Sequence, residues 1–251
     1  MISSRVFDES YGEDITLPDG GVMRLRLVRP EDREGIIEAF DRLSDETRVQ
    51  RWFYPKKRLS EEEIAALISP ADDAHGALTA IELDADGNES SGIGMARFVR
   101  SSEDPEAAEI AITIVDDWQA LGIGRILLHR LLAMMSERGI RFADGRLQAD
   151  NRPMRHLLEP YVPQGGFRRE DSILLFRFPV PAADDPLMAQ LSRNAAAVVR
   201  AFKRMAEGGI VLPLALAEKR LQSLGPRAVL AELRRKERES PPSTGKRKQG
   251  K

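Results

Sequence analysis

The chain has 251 residues, a formal net charge of −2 and no cysteine. This length suits one domain of ordinary size with an appendage. The lack of cysteine excludes disulfides, cysteine nucleophiles and thiolate metal sites. The nearly balanced charge argues against nucleic-acid binding. Since residues 1–8 lack a basic-then-apolar leader and no apolar run is long enough to span a bilayer, we expect a soluble, cytoplasmic protein without a membrane segment.

The first half of the chain predicts strands on either side of three helices. Turn residues, helix caps and apolar periodicity indicate their limits. In chain order they are a strand at 15–17, a turn at 18–21, a strand at 22–28, helices that begin near residue 31, at 45–53 and at 61–67, and a hairpin of strands at 78–83 and 92–99.

The middle of the chain combines a strand, a glycine-bearing turn and a helix. Ile110, Ile112 and Ile114 fall on one face of the strand, and apolar residues from Ile123 onwards recur at spacings of three and four. Between them, Gln119–Arg125 contains two glycines, which let a backbone approach a ligand closely. Free N–H groups and the positive end of the helix dipole make such a turn an anion site. A turn that only packs the helix onto the strand is the alternative.

The last part of the chain completes the sheet and then changes composition. A strand at 142–149, a helix that opens at Asn151 and two short strands that end near residue 178 give an α/β pattern with a mixed sheet. Residues 181–233 predict a helical C-terminal extension. Residues 234–251 hold eight Lys or Arg and two Glu, and we expect a disordered tail that aids solubility or docks a partner.

The turn Gln119-Ala120-Leu121-Gly122-Ile123-Gly124 has the pattern Q-x-x-G-x-G and resembles the pyrophosphate loop of the GNAT acetyltransferases, which bind acetyl-CoA. The runs L-R-L-V-R-P-E-D, R-L-S-D-E-T-R-V-Q-R-W-F and A-E-I-A-I-T-I-V-D-D-W-Q-A-L-G-I-G resemble bacterial protein-lysine acetyltransferases of the Pat type. This resemblance covers about residues 15–178. It implies the GNAT fold over residues 1–180, a mixed, mostly antiparallel sheet with helices on both faces.

The resemblance assigns acetyl-CoA as the cosubstrate. Its phosphates are expected at the turn, with Arg125 adding charge, and its pantetheine arm is expected along the strand edge at 112–115 as an added strand. Asn151 opens the next helix and, by resemblance, hydrogen-bonds acetyl-CoA near the thioester; a plain N-cap is a compatible role. The predicted acetyl-CoA-binding residues are Ile112, Ile114, Val115, Gln119, Leu121, Gly122, Ile123, Gly124, Arg125 and Asn151.

Transfer to an amine needs a base, because only about one lysine amine in 2,500 is neutral at pH 7. By resemblance the base is Glu109, on the Ala111 and Thr113 side of the central strand; an exposed glutamate that ends an acidic loop is the alternative. Tyr161 lies near the sequence position at which many GNAT enzymes carry a general acid. However, the spacing Tyr161-Val162-Pro163-Gln164-Gly165-Gly166-Phe167 is one residue longer than Y-x-x-x-G-F, so a structural tyrosine is the alternative.

The resemblance also implies a class of acceptor. Pat-type relatives acetylate protein lysines, notably on acyl-CoA synthetases, and the resemblance implies the same here. A small-molecule amine and a catalytically inactive CoA-binding sensor or docking module are the alternatives. The helical extension is expected to pack across the acceptor cleft or to form a homo-oligomer contact. His75, His129 and His156 share no metal-like spacing, so no metal site is predicted.

Overall fold

The computed structural model describes residues 5–17 and 20–182. The basic tail and nearly all of the predicted helical extension therefore lie outside the described residues.

The described elements follow the predicted order of strands and helices, with bounds that differ by a few residues. The strands are β1 (Gly12–Thr16), β2 (Val22–Leu27), β3 (His75–Leu83), β4 (Glu89–Arg100), β5 (Ala107–Ile114), β6 (Phe142–Gln148), β7 (Phe167–Glu170) and β8 (Ile173–Pro179). The helices are α1 (Arg33–Asp41), α2 (Asp45–Trp52), α3 (Glu61–Leu67), α4 (Ile123–Glu137) and α5 (Arg152–Leu158), and short 3-10 turns cover Pro30–Asp32 and Asp116–Trp118.

All eight strands form one mixed sheet in the order β1-β2-β3-β4-β5-β6-β8-β7. Its pairs are antiparallel except β5 with β6, which run parallel. The predicted α/β fold with a mostly antiparallel mixed sheet is confirmed. The parallel pair occupies the fifth and sixth positions of the sheet, so both of its strands are internal.

The two faces of the sheet carry different helices. The isoleucines of β5 lie on the face that packs against α4, whose buried side includes Leu127, Leu131 and Met134. The other face carries α1 and α2, with α1 against β4 and α2 against β5 and β6. Registered neighbours in antiparallel strands share a face, so Arg97 on β4 and Ala111 on β5 both point to the α1–α2 side.

Local sequence explains where the helices around the site begin and end. Ser44 caps α2 by accepting a hydrogen bond from the Thr47 N–H at 3.1 Å, and Ser60 and Glu63 form the predicted capping box of α3. Phe53, predicted as the last residue of α2, instead terminates it with a left-handed backbone at φ 65°. The backbone therefore leaves α2 towards the loop that precedes α3.

Candidate active site

The pairing of β5 with β6 is confined to one end of both strands. Glu109 and Asp144 form the last of the paired positions, yet β5 continues to Ile114 and β6 to Gln148. Beyond that pair the strands separate, and the edge of β5 that faces β6 has no hydrogen-bonded strand beside it. A groove of about 480 Å³ occupies this opening. An extended ligand that carries amides can pair with such an edge as an extra strand would.

The groove brings together ten of the twelve site residues predicted from the sequence. They come from β5, the glycine turn and the starts of α4 and α5, and they are Glu109, Ile112, Ile114, Gln119, Leu121, Gly122, Ile123, Gly124, Arg125 and Asn151. The other two lie elsewhere. Val115 follows β5, donates its N–H to the Ile93 carbonyl at 3.0 Å and lines a second cavity. Tyr161 is buried outside the set of described residues that line the groove.

The glycine turn is shaped by two left-handed residues. Ala120 has φ 61° and Gly122, the N-cap of α4, has φ 85°, a conformation in which glycine avoids the strain that a Cβ would bring. Gly124 has ordinary helical geometry, and a Cβ placed on it would lie 3.6 Å from Leu157 of α5. A side chain there would narrow the groove between α4 and α5.

Four backbone amides of the turn are available to a ligand. Within the described residues, the N–H groups of Leu121, Gly122, Ile123 and Gly124 donate to no acceptor, whereas the Arg125 N–H donates to the Gly122 carbonyl at 3.1 Å. Unoccupied amides at the start of a 15-residue helix, together with its dipole, favour a bound phosphate. The Arg125 side chain forms no ion pair within the described part of the chain, so its charge is also available.

The Gln119 side chain has a role that the sequence did not indicate. Its amide nitrogen donates to the Ile114 carbonyl at 3.2 Å and to the Thr47 hydroxyl at 3.3 Å, which ties the turn to β5 and to α2. Asp116 adds to this link by accepting hydrogen bonds from Ser44 and Thr47. Although burial raises the pKa of Asp116, these hydrogen bonds hold it below its usual range. The turn is thereby fixed to the start of α2.

The other end of α2 is fixed to β6. The Gln148 side chain donates to the Val49 carbonyl at 3.1 Å. Helix α2 is therefore attached on one side to β5 and the turn and on the other side to β6, and it bridges the two strands where they separate. Its residue Arg51 lines both the groove and the second cavity.

Glu109 lies at the point where the strands separate. Its side chain is exposed and forms no hydrogen bond or ion pair within the described residues, although it is close enough to Arg51 and Arg97 to favour their charged forms. On β6 its registered neighbour is Asp144, whose pKa is raised by burial and by the nearby charges of Asp104 and Glu109, against the lowering effect of Arg177. An exposed carboxylate without a partner is able to accept a proton from a ligand in the groove.

Asn151 is the N-cap of α5, and it also lines the groove. Its side-chain oxygen accepts a hydrogen bond from the Met154 N–H at 3.0 Å, which leaves the amide nitrogen free to donate to a ligand. The two roles considered from the sequence are geometrically compatible.

Tyr161 packs in the core behind the groove. Its ring lies 5.5 Å from that of Phe178 and 6.2 Å from that of His129, and its hydroxyl has no hydrogen-bond partner in the described chain. Burial raises its pKa, which makes it a weaker acid. Helix α5 ends at Leu158, so Tyr161 stands after the helix. This position favours a structural role over that of a general acid.

The contribution of Arg51, Arg97 and Gln148 to the site was not predicted from the sequence. Period-two alternation on β4 would have placed Arg97 on the same face as Met95. No local pattern shows that α2 lies over β5 and β6, because that position depends on hydrogen bonds between residues 47 and 119 and between residues 49 and 148. In the part of the chain that the structure describes, no group of His, Asp and Glu is arranged to hold a metal ion, and no helix is long and apolar enough to cross a bilayer.

In this α/β domain, two parallel strands separate beside a glycine turn that begins a helix. This arrangement is suited to a phosphate-bearing ligand bound in extended form. Residues 23–161 match the model of the acetyltransferase (GNAT) domain. The chain therefore belongs to the GNAT acetyltransferases, and it is an acyltransferase of that family, in which acetyl-CoA is the general cosubstrate.

Individual relatives agree with this assignment. The chain is 30% identical to acetyltransferase PA5475 of Pseudomonas aeruginosa over 142 residues, which cover 57% of this chain and 75% of that protein. It is 36% identical to acetyltransferase Pat of Mycolicibacterium smegmatis over 67 residues, 27% of this chain and 20% of Pat. The crystal structure of the GNAT domain of S. lividans PAT superposes with a TM-score of 0.57 at 26% identity, covering 67% of this chain and 96% of that domain.

Proposed function

We propose that the chain transfers the acetyl group of acetyl-CoA directly to the side-chain amine of a protein lysine, with Glu109 as the general base. The observation that carries this proposal is the position of Glu109, an exposed carboxylate without a partner among the described residues, where the unpaired edge of β5 begins. The resemblance of this segment to Pat-type enzymes supports both the catalytic role and the choice of a lysine acceptor.

Acetyl-CoA occupies the groove in this proposal. Its pyrophosphate binds the free amides of residues 121–124, with added charge from Arg125. Its pantetheine amides pair with the edge of β5 around Ile112 and Ile114, and the Asn151 side chain donates a hydrogen bond near the thioester. These contacts direct the thioester towards the end of the groove at Glu109.

The reaction is a direct displacement at the thioester. Glu109 accepts a proton from the acceptor ammonium, directly or through one water molecule, and the amine nitrogen then forms a bond to the acetyl carbon as the carbon–sulfur bond breaks. CoA leaves as a thiolate, which is tolerable because a thiol has a pKa of about 8.5, and the second proton of the acetylated nitrogen passes to that thiolate or to solvent. The chain has no cysteine, so no acetyl-cysteine intermediate forms, and Tyr161 is not required as an acid.

The test of Glu109 compares two isosteric variants. Glu109→Gln removes the base and should lower kcat by about 10²- to 10⁴-fold while the Kd for acetyl-CoA stays the same. Glu106→Gln removes a nearby exposed carboxylate that does not line the groove and should leave kcat unchanged. CoA-thiol release measures the first quantity and calorimetry the second. Equal effects of the two variants would refute a specific role for Glu109.

The identity of the acceptor is tested with radiolabelled acetyl-CoA and a cell lysate. Label on a few protein bands that disappears with Glu109→Gln supports a protein lysine, and an acyl-CoA synthetase among those bands would extend the resemblance to Pat-type enzymes. Label confined to the small-molecule fraction would contradict it. Release of no CoA by folded protein with any amine would instead favour a CoA-binding sensor.

A small-molecule amine is the second candidate acceptor, and one observation favours it. The second cavity has a volume of about 290 Å³ and shares Arg51, Ala111 and Thr113 with the groove. A space of this size adjoins the strand edge and suits a small ligand. A free amine held there would lie within reach of the thioester without a protein partner.

A further inference from the structure

The second cavity lies on the opposite face of the sheet from α4. It is enclosed by α1, α2 and the strands β3, β4 and β5, and its lining includes Trp52, Thr79 and Met95. Since Arg51, Ala111 and Thr113 line both spaces, the second cavity meets the groove at the unpaired end of β5. A ligand in it approaches β5 from the face opposite to the one on which the phosphate turn and α4 lie.

Two arginines of this cavity lack an anionic partner. Arg51 on α2 and Arg97 on β4 are both half-buried, and within the described residues neither forms an ion pair or donates a hydrogen bond. The Arg51 guanidinium lies over the Trp52 ring at 5.2 Å. In contrast, Arg26 at the far end of the same cavity has Asp32 and Glu89 each at 2.7 Å. The unpaired cations are thus confined to the end that meets the groove.

The electrostatics of the two arginines agree with this geometry. Burial, followed by the charge of Arg97, lowers the pKa of Arg51 to about 10, although the charges of Glu109 and Glu63 oppose the shift. Burial also lowers the pKa of Arg97, although Glu109 opposes the shift. Both directions are those of cations removed from water with too little opposing charge nearby, and a carboxylate placed between them would supply that charge.

We propose that the second cavity is the acceptor site and that Arg51 and Arg97 bind a carboxylate of the acceptor. The enzyme then prefers amines that carry a carboxylate a few bonds or one residue away. This inference rests on the proposed acetyl transfer and narrows its acceptor class. The carboxylate belongs either to a free amino carboxylic acid or to an acidic side chain beside a protein lysine, and both present the same planar group to a guanidinium fork.

The arrangement also serves the chemistry at the amine. A positive charge near the acceptor nitrogen disfavours its ammonium form and so increases the fraction of neutral, nucleophilic amine. During transfer the new carbon–nitrogen bond replaces the carbon–sulfur bond. One proton of the ammonium passes to Glu109, and the second passes to the departing CoA thiolate or to solvent. The carboxylate stays unchanged and serves only to hold the amine in position.

The experiment compares acceptors that differ only in charge. CoA release is measured with ω-amino carboxylates and the matching amides, and with peptides in which the lysine is followed by Asp or by Asn. The wild-type protein should show a kcat/KM at least about 10-fold higher for the carboxylate member of one of the two series, a ratio typical of a charge-assisted contact. The series with the larger ratio identifies the source of the carboxylate.

Variants locate the effect. Arg97→Gln should reduce that ratio to near one by lowering kcat/KM for the carboxylate acceptor alone, Arg97→Lys should restore part of it, and the KM for acetyl-CoA should not change. Arg58→Gln removes an exposed charge that lines neither cavity and should retain the wild-type ratio. Equal kcat/KM for carboxylates and amides in both series would overturn the proposal. A preference for succinyl-CoA over acetyl-CoA that disappears in Arg97→Gln would also overturn it, because the arginines would then bind the acyl chain.

A binding measurement separates this inference from the proposed function. Calorimetry with the same amino carboxylates and amides, in the presence of CoA, needs no turnover. Selective binding of carboxylates that is lost in Arg97→Gln, without CoA release from any amine, would retain the anion site and refute the transferase proposal. Normal turnover without carboxylate selectivity in binding or in kcat/KM would retain the transferase proposal and refute the anion site. A melting temperature for Arg97→Gln equal to or above that of the wild type confirms that the variant is folded.

Discussion

Protonation of His129 should destabilise the fold below neutral pH. His129 lies on the buried face of α4, the helix whose N-terminus forms the amide cradle, and its Nε2 atom has no hydrogen-bond partner within the described residues. Burial, followed by the charges of Arg125 and Arg130, lowers the pKa of His129 from 6.5 to about 4. Between these two values the unfolded chain binds more protons than the native one, so stability falls as the pH decreases.

The magnitude follows from the same two pKa values. A shift from 6.5 to about 4 corresponds to about 3.4 kcal/mol once the pH is below both, at about 1.36 kcal/mol per unit. About 2 kcal/mol of this loss falls between pH 7 and pH 5. Urea unfolding at these two pH values should show that difference in the wild type and a much smaller one in His129→Gln. His156→Gln, at an exposed position, should retain the full difference because His129 is still present. The same pH dependence in wild type and His129→Gln would refute the reasoning.

Three further substitutions test the site. Gly124→Leu should weaken acetyl-CoA binding at least about 10-fold by calorimetry, because its side chain would extend into the groove where even a Cβ lies 3.6 Å from Leu157. Unchanged affinity would contradict a ligand against this turn. Tyr161→Phe removes a buried hydroxyl that has no hydrogen-bond partner in the described chain, and it should change kcat less than about 3-fold. Loss of a catalytic acid would lower kcat by about 10²-fold or more, and a decrease of that size would support the acid role. Gln119→Leu removes the hydrogen bonds to Ile114 and Thr47, so it should lower the free energy of unfolding by about 1–2 kcal/mol and raise the Kd for acetyl-CoA. Unchanged values of both quantities would show that these hydrogen bonds are dispensable.

Local patterns predicted the parts of the site that are close in sequence. The alternation of Ile110, Ile112 and Ile114 and the glycine turn before Ile123 lie on one continuous segment, so their relative positions follow from strand and helix geometry. For this reason nearly all the predicted acetyl-CoA residues line one groove. Val115 is the exception on this segment, because the chain leaves the strand at Ile114 and enters a 3-10 turn.

Tertiary contacts determine the rest. The position of Arg51 over the face that carries Arg97 and Ala111 depends on where α2 is fixed. That depends on hydrogen bonds between residues 72 and 99 positions apart in the sequence. Tyr161 shows the same limit, since its ring packs in the core against Phe178, a contact between residues that are distant from each other in sequence. The predictions for residues 183–251 lie outside the described residues.

The pH dependence of acetyl transfer by Glu109→Gln tests the role of Glu109 most directly. A lysine amine has a reference pKa of about 10.4, so its neutral fraction rises about 10-fold per pH unit between pH 7 and pH 9. If Glu109 removes the proton, kcat/KM of Glu109→Gln should rise by about that factor per unit and approach the wild-type value, which should rise less. Parallel profiles, with the same deficit for Glu109→Gln at pH 7 and at pH 9, would contradict general-base catalysis by Glu109.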